Sequence, residues 1–131
     1  MNILLADDEP LVLELMGLLL HRAGHTVHAS PDGREALDVF RHESFDLVIT
    51  DLAMPGLDGL QLARRIKTQL PHQPVVLLTG AGEDEVLPPD VDFMIAKPIR
   101  DSSLTELLRR VAAKIATAAR TAPRAFLAVT P

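Results

Sequence analysis

The chain has 131 residues, 47% hydrophobic and 24% charged, with a net charge of −5 and no cysteine. That length suits one domain with a single buried core, and the ordinary hydrophobic and charged content argues against a wholly disordered chain. The missing cysteines exclude disulfides and thiolate metal sites. The acidic balance, with no run of Lys or Arg, argues against direct nucleic-acid binding. The amino terminus, Met1-Asn2-Ile3-Leu4-Leu5-Ala6-Asp7-Asp8, has neither the basic start nor the long apolar stretch of a secretory leader. The apolar patch from Leu11 to Leu20 is broken by Glu14 and is too short for a bilayer span. The expectation is a cytoplasmic protein with no membrane contact.

In chain order, strands alternate with helices. Ile3 to Ala6 is a short continuous apolar run, as expected of a strand buried on both faces of a parallel sheet. Pro10 suits a first helical turn, and Leu11 to Ala23 reads as a helix stopped by Gly24. Thr26 to Ala29 is a weaker second strand. Asp32-Gly33-Arg34-Glu35 has capping-box spacing and opens a second helix. Phe45 to Thr50 is the third strand and ends at Asp51. Asp58-Gly59-Leu60-Gln61 opens a third helix through about Leu70. Pro74 to Leu78 is the fourth strand, ending at Thr79, and Phe93 to Ala96 the fifth, ending at Lys97. Ser103-Leu104-Thr105-Glu106 reads as the cap of a last helix, with Leu104, Leu107, Leu108, Val111, Ala112 and Ile115 on its apolar face. From about Thr117 the chain is rich in Ala, Thr and Pro and reads as a tail, in which Phe126-Leu127-Ala128-Val129 is an isolated apolar run.

Such β/α alternation implies an α/β fold with a parallel sheet covered on both faces. In open sheets of this kind, ligands bind at the carboxyl ends of the strands. Asp7 and Asp8 follow strand one, Asp51 ends strand three, Thr79 ends strand four and Lys97 ends strand five. These residues therefore converge on one crevice. Three carboxylates there repel one another. A hard divalent cation such as Mg²⁺ relieves the repulsion, because it prefers oxygen ligands. With a fixed ammonium and a hydroxyl added, the set suits phosphoryl transfer, in which one carboxylate can be the nucleophile.

Four pieces in order resemble the receiver domains of two-component response regulators: Ala6-Asp7-Asp8-Glu9-Pro10, Thr50-Asp51-Leu52-Ala53-Met54-Pro55-Gly56-Leu57-Asp58-Gly59, Leu77-Leu78-Thr79-Gly80, and Lys97-Pro98. The resemblance implies a flavodoxin-like, doubly wound five-stranded parallel sheet in the order 2-1-3-4-5. It implies a receiver domain over residues 1–116, with 117–131 as a tail or linker without fixed structure. By resemblance, Asp51 is the phosphoacceptor, and Asp8, Asp51 and the backbone carbonyl of Ala53 are ligands of Mg²⁺ (or Mn²⁺). Asp7 acts through water or by orienting Lys97. Lys97 pairs with a phosphoryl oxygen, Thr79 is the hydroxyl that turns toward the phosphate, and the Lys97–Pro98 peptide is cis. The implied partner is a sensor histidine kinase or a histidine phosphotransfer protein, and a homodimer is left open. The chain would be a phosphoryl acceptor in a phosphorelay, not a turnover enzyme.

The alternatives are weaker. A receiver-like interaction scaffold without phosphorylation would not need the full set of acids, hydroxyl and lysine. A phosphatase of the haloacid-dehalogenase type would need an acid two residues after its nucleophile, where this chain has Ala53. His21 and His25 flank a helix-ending glycine and read as surface residues. Gly80 and Gly82 lack the spacing of a phosphate-binding loop.

The sequence also departs from the family pattern. Only residues 80–92 are available between strands four and five, and Pro88-Pro89 cuts any helix there. Glu83 to Leu87 allows about one turn, roughly 8 Å of rise, against roughly 16 Å needed to span a five-residue strand. The expectation is a short, distorted or absent fourth helix. The usual switch aromatic three residues before the lysine is Met94, with Phe93 one earlier; either Phe93 is in the core and the switch is missing, which is the expectation, or a shift in the strand restores it. Ala53 and Ala81 cannot hold a hydrolytic water through their side chains, which implies slow self-dephosphorylation.

Overall fold

A computed structural model of the chain describes residues 1–80 and 86–121. The elements run β1 (Asn2–Ala6), α1 (Pro10–Arg22), β2 (Thr26–Ser30), α2 (Gly33–His42), β3 (Leu47–Asp51), α3 (Gly59–Gln69), β4 (Val75–Thr79), β5 (Phe93–Ala96) and α4 (Asp101–Thr121). The five strands form one sheet in the order β2-β1-β3-β4-β5, and every pair is parallel. This is the doubly wound order the sequence implies.

The apolar strands bury side chains on both faces, which produces two core layers. Leu4, Val48, Val75 and Leu77 pack under Ala36, Leu37 and Phe40 of α2 and Leu62, Ala63 and Ile66 of α3. Ile3, Leu5, Leu47, Ile49, Val76 and Leu78 pack under Met16 and Leu20 of α1 and Leu104, Leu107, Leu108 and Val111 of α4. The alternation along each strand sends neighbours to opposite layers.

Local signals set the helix ends. Pro10 occupies the first turn of α1. At its other end Gly24 has φ +92°, the Gly24 N–H donates to His21 O and the His25 N–H donates to Leu20 O. Those two bonds satisfy the last carbonyls in a Schellman arrangement that favours glycine. Asp32 Oδ1 accepts from the Glu35 N–H at 2.8 Å. Asp58 and Gln61 form a complete reciprocal capping box.

Two boundaries differ from the sequence reading. The last helix already starts at Asp101, and the Leu104 N–H donates to Arg100 O, so Ser103 lies inside the first turn and is not its cap. Asp101 supplies the negative charge that a helix start favours. The same helix runs through Thr121, so the boundary read at residue 116 falls inside it. Ala112, Ala113, Ala116, Ala118 and Ala119 have high helix propensity and carry it onward.

Among the described residues, no helix separates β4 from β5. Residues 86–92 are irregular, and Val91 from this segment is buried in the first core layer. Ala81, Gly82 and the start of the short turn expected from Glu83 lie outside the described residues, as does the Phe126–Val129 run. Phe93 is half-buried and packs against the second core layer. It faces α4, with Arg110 and Lys114 at 5.3 and 5.4 Å from its ring centroid. Met94 packs on the other layer and pairs in register with Leu77, on the face that Thr79 also shares. No described helix is long and apolar enough to cross a membrane.

Candidate phosphoryl-acceptor site

The parallel register places the ends of β1, β3, β4 and β5 side by side. Each of these strands ends at or just before a candidate site residue, so residues 90 positions apart in sequence meet. Asp7, Asp8 and Asp51 each direct a carboxylate oxygen into one cluster, within 4.8 Å of one another. Asp7 is fully buried and Asp51 is 6% exposed, while Asp8 is exposed to solvent.

Lys97 reaches across from the end of β5. Its Nζ lies 3.0 Å from Asp7 Oδ2 and 3.2 Å from Asp51 Oδ1. Glu9 is a more distant third partner at 3.8 Å. Burial lowers the Lys97 ammonium pKa, but Asp7 and Asp51 outweigh it and hold the group above its ordinary value. For Asp51, burial is the largest influence and pushes the carboxyl pKa up; Asp7 adds to the rise, and Lys97 opposes it without cancelling it. A nearly buried acid beside a second acid thus holds its negative charge less readily than in water.

The backbone fixes these groups. The Glu9 N–H donates to Asp7 Oδ1 at 2.9 Å, turning Asp7 inward and leaving Oδ2 for Lys97. The buried Oδ2 meets the Lys97 ammonium as an ion pair. The Lys97 N–H donates to Thr79 O at 2.8 Å, tying the ends of β4 and β5 together. Thr79 is itself buried. The Lys97–Pro98 peptide is cis. Past Asp51, the Leu52 N–H donates to Leu78 O and the Gly59 N–H to Leu52 O, drawing the loop back over β3. A Cβ on Gly59 would overlap the Asp51 carbonyl, so only glycine allows α3 to start this close to the acid.

The structure therefore brings Asp7, Asp8, Asp51 and Lys97 together at one strand edge, with Thr79 at the adjoining strand end. Ala53 lies two residues past Asp51 in the exposed loop. Two contributors were not singled out in the sequence. Glu9 belongs to the same acidic run as Asp7 and Asp8 and could have been found there. Gly59 was read only as part of a helix start, and its close approach to Asp51 has no local sequence signal.

The donor set suits a hard divalent cation. It offers carboxylate oxygens only, one from each of three acids within 4.8 Å of one another.

Comparison with known proteins agrees with this geometry. Residues 3–109 match the response regulator receiver domain, and the chain belongs to that family. The two-component response regulator PhoP of Pseudomonas aeruginosa is 35% identical over 118 residues, covering 84% of this chain and 52% of that protein. The transcriptional regulatory protein GlrR of Escherichia coli is 43% identical over 81 residues, covering 62% of this chain and 18% of that protein. The curated relatives are longer, and the matched part is between 11% and 52% of their length. Among solved structures, a response regulator receiver domain from Clostridium thermocellum superposes with a TM-score of 0.81 at 30% identity, covering 88% of this chain and 97% of that one. The response regulator TrrA of Thermotoga maritima, solved in complex with Mg²⁺ and BeF, superposes with a TM-score of 0.78 at 30% identity, covering 84% and 97%.

Proposed function

We propose that Asp51 accepts a phosphoryl group from a phosphohistidine on a sensor histidine kinase or a histidine phosphotransfer protein. The observation that carries this reading is the placement of Asp51: a nearly buried carboxylate at the end of β3, 3.2 Å from Lys97 and clustered with two further acids. One Asp51 oxygen forms a bond to phosphorus as the bond from phosphorus to the donor imidazole nitrogen breaks. That nitrogen keeps the electron pair and takes up a proton. The product is an acyl phosphate.

The chain's own groups position and neutralise. Lys97 lies between Asp7 and Asp51, so it can follow a new phosphoryl oxygen without losing its anchor on Asp7. Asp8, Asp51 and the Ala53 carbonyl would hold Mg²⁺ or Mn²⁺, with Asp7 bound to it through water. The cation, when bound, supplies positive charge that offsets the acids and the incoming phosphoryl oxygens. Thr79 donates its hydroxyl to the phosphoryl group once formed. Asp51 is consumed once per transfer, so the domain is a stoichiometric acceptor, acting in the cytoplasm.

The test is incubation with Mg²⁺ and acetyl phosphate, or with beryllofluoride, followed by mass spectrometry and amide spectra. The wild type should gain one phosphoryl mass or a ligand-induced shift around residues 51–59 and 79. The Asp51→Asn chain should show neither. An adduct that persists in Asp51→Asn would overturn the assignment.

A further inference from the structure

The loop that joins β3 to α3 carries Ala53, and close backbone contacts hold it at two points. One is the approach of Gly59 to the Asp51 carbonyl. The other is made by a different helix. Gly33, the first residue of α2, is buried, and a Cβ placed on it would overlap the Leu57 carbonyl oxygen and stand 3.1 Å from the Leu57 Cβ. Leu57 is 7% exposed and shares a core layer with Ala36, Leu37 and Phe40 of α2. The next residue of α2 follows the same loop: Arg34 Nε lies 3.8 Å from where a Cβ on Gly56 would stand. Glycine is among the poorest helix formers. Its place in the first turn of α2 is accounted for by the Leu57 carbonyl, which leaves no room for a side chain. The clustered acids all lie outside α2, so this helix bears on the site only through the loop.

We propose that Gly33 is a positioning residue for the cation site: it lets α2 close on Leu57 and so fixes the loop that presents the Ala53 carbonyl. The proposal rests on Ala53 being a backbone ligand of the cation. Mg²⁺ tolerates little departure from octahedral geometry. A carboxylate ligand can adjust by rotating its side chain, whereas a carbonyl ligand moves only with its loop. Such a ligand serves best when the loop is in place before the cation arrives. With Gly59 seated on Asp51 and Leu57 held under Gly33, residues 52–56 run between two fixed points. A methyl group on Gly33 pushes Leu57 outward and frees one of them.

The test compares Gly33→Ala with Asp92→Asn, a variant expected to lose similar stability at the other pole of the sheet. Mg²⁺ binding is followed by amide spectra, and acetyl-phosphate labelling of Asp51 by mass spectrometry. Gly33→Ala should weaken Mg²⁺ binding on the order of tenfold. The Mg²⁺ needed for half-maximal labelling should rise by the same factor, with the rate at saturating Mg²⁺ within about twofold of wild type. Asp92→Asn should leave Mg²⁺ affinity in place. Unchanged affinity in Gly33→Ala, or an equal loss in both variants, overturns the proposal. A wild type that binds no Mg²⁺ overturns the cation reading beneath it, a distinct result. If Gly33→Ala does not fold, hydrogen exchange in the wild type decides. The Ala36 N–H donates to Asp32 O in the first turn of α2, and the Glu43 N–H to Val39 O in its last. Mg²⁺ should slow exchange at Ala36 several-fold more than at Glu43. Equal slowing at both would overturn the proposal.

Discussion

Replacing Asp51 by Asn should stabilise the fold at neutral pH. Asp7 and Asp8 each place an oxygen within 4.8 Å of Asp51. At an effective dielectric of about 20, each repulsion is then at least about 3.5 kcal/mol before solvent screening. Solvent reduces the contribution of the exposed Asp8 most. Lys97 at 3.2 Å contributes an attraction of about 5 kcal/mol on the same scale. Together the two repulsions, about 7 kcal/mol before screening, exceed that attraction, and desolvation of a carboxylate that is 6% exposed acts in the same direction. Asn keeps the shape, removes the charge, and leaves Lys97 paired with Asp7. The expected gain is about 1–2 kcal/mol in urea unfolding at pH 7. Because the folded-state pKa of Asp51 is raised above its ordinary 3.8, the folded protein holds the proton more tightly than the unfolded chain. Stability of the wild type therefore falls as pH rises through that window, and the advantage of Asn vanishes below it. Saturating Mg²⁺ should reverse the gap by stabilising the wild type, by about 2.7 kcal/mol at a hundredfold excess over Kd. An Asn variant no more stable than wild type at pH 7, or one whose advantage persists unchanged at pH 3, would refute this account of the site.

Gly59→Ala should destabilise the fold by about 1–3 kcal/mol, because the new Cβ meets the Asp51 backbone carbonyl, which cannot rotate away; denaturant titration measures it, and a neutral result would show that the loop yields. Asp92→Asn should cost about 1–3 kcal/mol at pH 7, since it removes the negative charge that pairs with Lys67 and Lys114 and one of the two oxygens that accept from them and from the Val75 N–H. Burial raises the Asp92 pKa, but those donors outweigh it and hold the pKa below the ordinary carboxylate value. That stability is complete above the unfolded pKa and disappears as pH falls through the folded one, so wild type and variant should converge in strong acid. Asp58→Ala should cost about 1 kcal/mol through loss of the α3 cap, read by thermal unfolding. With only a methyl at Ala53, the acyl phosphate should outlast a timescale of seconds by phosphate-release assay, and faster loss would contradict the expected slow hydrolysis.

The sheet was legible because its strands are short continuous apolar runs, each ending in a residue that cannot be explained by burial. Asp7, Asp51, Thr79 and Lys97 marked both the strand ends and the crevice. The crossover to β5 could be anticipated from chain length and Pro88-Pro89 alone. Ser103 misled because a capping pattern is local, whereas the helix start was set one turn earlier, at Arg100 and Asp101. Asp92 gave no warning, since Lys67 and Lys114 lie 25 and 22 residues away and only the tertiary fold joins them. Gly59 was hidden for a similar reason: the obstacle is a backbone atom eight residues earlier, which no pattern of side chains encodes.

The Asp92 node has a mechanical consequence for the site at the other end of β5. Asp92 is held by α3 through Lys67, by α4 through Lys114, and by β4 through the Val75 N–H and, in return, the Val75 carbonyl. Only four strand residues separate it from Lys97, a span of about 16 Å. The strand is pinned by ionic bonds at one end and tied to β4 at the other through the Lys97 N–H and Thr79 O. With both ends moored, a change of partner by the Lys97 ammonium is a matter for its flexible side chain rather than for the strand that carries it.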